Sequence, residues 1–172
     1  MPDGRILLAQ RFMEPAQWIA TFRALHDQAK KAPLDPNQAS RYVAMKDELA
    51  RSLLLAEGKE LPKGSPPRRV IRVPTVHQIE VAGIHRATTS ELSCAGFTAL
   101  IPAMLKEGTL IGFVLTLSRS QEPVRGDAIV QSAVRQPNTL IKLTCQFAKL
   151  EEPTLERIET VLFDVALTRF RI

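Results

Sequence analysis

Six consecutive residues, Pro62 to Pro67 (PKGSPP), hold three prolines, a glycine and a serine. Proline fixes φ and has no N–H to donate, so neither a helix nor a central strand passes through such a stretch. The chain reads with different periods on its two sides. Upstream, EPAQWIATFRALHDQAKKA (Glu14 to Ala32) sets Trp18, Phe22 and Leu25 at helical spacing, with Lys30 and Lys31 in the last turn, where the helix dipole favours them. After the breaker PLDPNQAS the same period resumes in RYVAMKDELARSLLLAEGKEL, on Tyr42, Met45, Leu49 and Leu53. A helical hairpin is expected, its apolar side chains forming its own core. An exposed stripe for self-association or for a partner helix is the other reading of the same residues. The expected division is a helical extension over 1–61, a linker over 62–67 and a β domain over 68–172.

From Arg69 onward, short β-type segments alternate with turn residues at a spacing of about 8–12 residues, the pattern of a barrel or sandwich. Strands are expected in VIRVPTVHQIEVAG, IHRATTSEL, GFTALI, GTLIGFVLTLS, VRGDAIVQSAVR and TLIKLTCQFAKL, with QPN between the last two suited to a hairpin turn. Six such strands nearly close on themselves. In EEPTLERIETVLFDVALTRF, the residues Leu155, Ile158, Leu162 and Val165 mark one face of a final helix, able to cover a barrel mouth or pair with a partner. Glu151 and Glu152 precede Pro153 and read as first-turn residues favoured by the helix dipole, not as a catalytic pair.

The chain has 172 residues, 45% of them apolar and 24% charged, which fits one folded core with a helical appendage. A net charge of +5 favours anionic partners without choosing among them. Cys94 and Cys145 lie far apart, outside any CxxC or metal-type spacing, and read as buried thiols of a reducing cytoplasm. No apolar run reaches the ~18 residues a membrane span needs. The opening MPDGRILLAQRFM has an early acid and too short an apolar stretch for a signal peptide, so a cytoplasmic location is expected. His26, His77 and His85 belong to no HxxxH, HExxH or Cys/His cluster, so no metal site is expected. No GxSxG elbow or nucleophile with an oriented base is present, and no catalytic residue is assigned. Aromatic residues are 5% and do not interleave with basic ones, so nucleic acid is not the expected partner.

The remaining signal is PPRRVIRVP, in which Arg68, Arg69 and Arg72 lead into a strand. A guanidinium is a rigid fork of donors that matches phosphate and stacks on aromatic rings, so the cluster is a candidate anion or nucleotide clamp. A solvated basic linker is the plainer alternative. About twenty residues later, TTSELSCAGFTAL sets Glu91, Ser93 and Gly96 at the spacing ExSxxG. Together these segments resemble the PilZ domain, the small β-barrel receptor of bacteria for cyclic di-GMP. In that family an RxxxR segment precedes the barrel and [D/N]xSxxG lies between its early strands. With KEGTLIGFVLTL and LIKLTCQFAKLEEPTLERI following in order, the resemblance covers about residues 66–170.

That resemblance implies a six-stranded PilZ-type barrel with a C-terminal helix, cyclic di-GMP as ligand, no cofactor and no enzymatic activity. It implies Arg68, Arg69 and Arg72 as the phosphate and purine contacts. Ser93 and Glu91 would bond the guanine edge or brace an arginine, and Gly96 would allow close backbone approach. Glu91 departs from the family's Asp or Asn, and its extra methylene moves the carboxylate by ~1.5 Å. The implied function is a receptor that couples nucleotide binding to a protein partner as the segment PKGSPPRRVIR becomes ordered. The alternative is a PilZ-like scaffold or oligomeric interaction module that binds no nucleotide and self-associates through its N-terminal helices.

Overall fold

Proline opens both N-terminal helices, α1 (Pro15–Lys31) and α2 (Pro36–Ala56), at the position where its missing N–H has no intrahelical partner to lose. Asp35 caps α2: its carboxylate accepts the Gln38 N–H at 2.8 Å, and the Gln38 side chain returns to the Asp35 N–H at 3.4 Å. The structure, a computed structural model, describes residues 13–61 and 63–170. The leader-peptide reading of the first residues, and Pro62 of the linker, lie outside that range. The described residues fall into two compact units, one within residues 13–71 together with 163–170, the other residues 72–162. The first therefore takes in the stretch expected as a linker, together with the end of the helix expected with the β domain.

The helical unit is built from α1, α2 and the last part of α3 (Glu152–Thr168). Trp18, Phe22 and Leu25 are buried, as the period of the sequence requires. Phe22 is the centre of the packing, with ring centroids 5.6 Å from Trp18, 5.8 Å from Tyr42 and 5.9 Å, edge-on, from Phe163 of α3. His26 is also in this core. Its Nε2 lies 2.7 Å from the Asp164 carboxylate and its Nδ1 2.6 Å from the Tyr42 hydroxyl, so one side chain from each helix joins a single chain of hydrogen bonds. Since a carboxylate only accepts, Nε2 is the donor to Asp164. Lys30 completes the set at 2.8 Å from Asp164.

The second unit carries seven antiparallel strands: β1 (Arg72–Pro74), β2 (Gln78–Val81), β3 (His85–Ser93), β4 (Gly96–Ile101), β5 (Leu110–Thr116), β6 (Val124–Arg135) and β7 (Ile141–Phe147). Pairing runs β2-β5-β6-β7-β4-β3 and returns to β2, so the expected six-stranded barrel is closed. Residues of alternate parity fill it. Phe97, Phe113 and Phe147 meet at centroid separations of 5.0–5.8 Å, and Leu115, Ile141 and Leu143 are buried beside them.

The stretch read as one first strand is two. Between β1 and β2 the Thr89 side chain takes over the pairing: its Oγ1 accepts the His77 N–H at 2.9 Å and donates to the Thr75 carbonyl at 2.7 Å. Pro74 has no N–H with which to continue the ladder. The long β3 therefore serves both, pairing β2 over His85–Thr88 and β1 over Glu91–Ser93, and its register against β4 shifts between Thr89 and Glu91. The first part of α3 belongs to this unit, where Arg157 donates to the Glu122 carbonyl. Among the described residues no helix is long and apolar enough to cross a membrane.

Candidate functional site

The arginine segment begins with Pro66 in an extended conformation and a single 3-10 turn, Pro67–Arg69. Arg68 is held to α2 within the helical unit. Its backbone N–H donates to Asp47 Oδ1 at 3.1 Å and its Nη1 to Oδ2 at 2.8 Å, so both carboxylate oxygens are directed at one residue. Arg69 is half-buried in the same turn. The unit boundary falls between Ile71 and Arg72, inside the RxxxR spacing.

Arg72 belongs to the barrel unit, where β1 pairs with β3 so that Arg72 stands opposite Ser93 and Pro74 opposite Glu91. Val73 points into the core, which turns Arg72 to the other face of the sheet. There its Nη1 lies 3.0 Å from Thr98 Oγ1 and 3.4 Å from Glu91 Oε2. Thr98 of β4 is directly across from Glu91 of β3 and from Thr144 of β7, and the two threonine hydroxyls are 3.5 Å apart. A guanidinium, a carboxylate and two hydroxyls thus share one stretch of wall. The extra methylene of Glu91 is accommodated by a contact to Arg72.

Ser93 and Gly96 shape the corner beside it. The Ser93 hydroxyl accepts from the N–H groups of Ala95 and Gly96, both at 3.1 Å, and lies 3.3 Å from the Gly96 carbonyl. It is thereby engaged in the turn that joins β3 to β4, and Ser93 is buried. Gly96 does permit a close backbone approach, and the approaching backbone is that of β7: a Cβ at this position would stand 1.9 Å from the Cys145 carbonyl oxygen.

The structure brings Arg72, Glu91 and Ser93 together on paired strands and adds Thr98, which the motif spacing does not mark. The available signal was strand alternation, which puts Thr98 two residues after Gly96. Asp47 carried no signal, because its partner lies 21 residues away. Cys94 and Cys145 are buried and form no disulfide, and burial pushes Cys145 up to about 12. His77 is half-buried and held below the usual histidine range by that burial, with a contact to Thr116 acting the other way. Among the described residues no group of three His, Cys, Asp or Glu could hold a metal ion.

No family model and no curated protein matches the chain. Solved structures do. The Bacillus subtilis inhibitor of motility (MotI/DgrA) aligns over 58% of this chain and 50% of its own with a TM-score of 0.51 at 13% identity. MrkH of K. pneumonia in complex with cyclic di-GMP aligns over 66% and 56% with a TM-score of 0.50 at 19% identity. The PilZ domain of YcgR from Escherichia coli, with cyclic di-GMP, aligns over 58% and 91% at a TM-score of 0.46 and 16% identity. The fold is PilZ-like. The chain spans about half the length of the first two of these proteins. In the PilZ-like barrel, Arg72 opens β1, and the ExSxxG motif runs from the end of β3 through the β3–β4 turn to Gly96 at the start of β4.

Proposed function

We propose that the protein is a bacterial cyclic di-GMP receptor, not an enzyme, in which Arg68, Arg69 and Arg72 take the nucleotide phosphates and purine faces and Glu91 reads a guanine edge. The observation that carries this reading is the β1–β3 register, which sets Arg72 across from Ser93 with its guanidinium on Glu91 and Thr98. A dinucleotide with two phosphates and two guanines gains most from charge-assisted bidentate bonds and from guanidinium planes over its bases. A carboxylate accepts both N–H groups of a guanine edge. Ser93 and Gly96 act through the backbone, the first by holding the β3–β4 turn and the second by letting β4 lie against β7. The PilZ-like fold, shared with a protein solved with this nucleotide, supports the ligand class. Binding rearranges the arginine segment and so changes what the helices offer to a protein partner in the cytoplasm.

Calorimetric titration of the full chain tests this. Heat is expected at tens of micromolar cyclic di-GMP, with Arg72→Ala weakening binding at least tenfold, about 1.4 kcal/mol. No heat from the wild-type chain would sink the receptor reading. A constitutive scaffold is the competing reading, favoured by the full engagement of the Ser93 hydroxyl in its own turn. Light scattering then shows one mass, above that of the monomer, with and without nucleotide.

A further inference from the structure

We infer that Asp47 of α2 is an internal competitor for the phosphate site, occupying Arg68 until the nucleotide displaces it. This rests on the receptor reading and concerns its regulation. The backbone N–H and Nη1 of Arg68 converge on the two oxygens of one carboxylate, at 3.1 and 2.8 Å. Two donors, one of them a guanidinium, facing two oxygens on a single centre form a receptor for an oxyanion, and a phosphate presents the same pair of acceptors. The Asp47 carboxylate is thus the stand-in for the group that Arg68 is proposed to bind. The pair is only partly withdrawn from water, with side-chain exposures of 20% and 23%, so separating it leaves neither charge stranded in a dry interior. Asp47 also has a fallback. Arg51 is exposed one helical turn further along α2, at the spacing where a carboxylate and a cation on one helix attract.

The carboxylate opposes the ligand in two ways: it fills donors that phosphate needs, and it adds a negative charge beside an anion. It also fixes the turn Pro67–Arg69 through the Arg68 N–H, so a ligand that takes Arg68 releases that turn from α2. A carboxylate that merely organised the turn for binding would act with the opposite sign, since its loss would loosen the clamp and weaken affinity.

The test is cyclic di-GMP titration of the full-length wild type, Asp47→Asn and Asp47→Ala, with Asp27→Asn as a control for net charge. Folding of each is checked by thermal melting. Both Asp47 variants are expected to bind about tenfold more tightly than the wild type, and the Asp27 variant unchanged. Hydrogen exchange at the Arg68 amide, without ligand, is expected to quicken in Asp47→Ala. Unchanged or weaker binding in the Asp47 variants overturns the inference while leaving the receptor reading intact, and so does an equal gain in the Asp27 variant. Absence of binding in every chain, the wild type included, overturns the receptor reading and this inference with it.

Discussion

A methyl group on Gly96 would stand 1.9 Å from a backbone carbonyl oxygen of β7, and backbone in the middle of a closed barrel has nowhere to move. Gly96→Ala is therefore expected to cost about 3 kcal/mol, read as a fall in the urea midpoint. Thr139 presents the reverse case. It sits in the β6–β7 turn at φ 69°, left-handed backbone that a β-branched residue adopts only with strain. Thr139→Gly is expected to raise stability by about 1 kcal/mol in the same assay. The sequence offers the spacing of Ser93 and Gly96 but not its cause. A hydroxyl that closes its own turn and a glycine pressed against another strand become visible only once the neighbouring strand is in place.

Among the elements, the helices follow their periods closely: Trp18, Phe22, Tyr42 and Leu49 are all buried. The third member of their core was not legible, because Phe163 and Leu167 arrive from the far end of the chain. His26 illustrates the same limit. No local motif contains it, yet it is bonded to Asp164, 138 residues away. Burial pushes the Asp164 carboxyl up, but the hydrogen bonds and charges of His26 and Lys30 outweigh it and hold the group below its ordinary 3.8. A depressed carboxylate contributes stability above that value and loses it as pH falls through the lower, folded one. Lys30 is raised above 10.5, chiefly by its bond to Asp164, and its share is lost only as pH rises through the raised value. The helical unit is thus expected to loosen in acid below about pH 4. Near-ultraviolet circular dichroism of Trp18 should report this, and Asp164→Asn should remove the acid step. The first β segment was misread for a comparable reason, since the side chain that interrupts it, Thr89, belongs to another strand.

Over the whole molecule, a net charge of +5 and an anionic ligand make the proposed binding electrostatic in part. Raising salt from about 0.05 to about 0.5 M, which shortens the screening length severalfold, should weaken cyclic di-GMP binding several-fold in calorimetry. A response to magnesium chelation is not expected. The PilZ-like architecture and both motifs were legible from order and spacing. Thr98 and Asp47, the side chains holding Arg72 and Arg68, were not, because what marks them is a partner and not a pattern. One architectural detail reaches further. The ring of six strands is complete before β1 is counted, and β1 adds three residues, one of them a proline unable to donate. Unzipping it would expose little beyond Val73, at about 2 kcal/mol for that side chain, and every rung of the barrel would survive. Arg72 thus stands on a strand outside the closed ring, tied to it by the pairing with β3 and by Glu91 and Thr98.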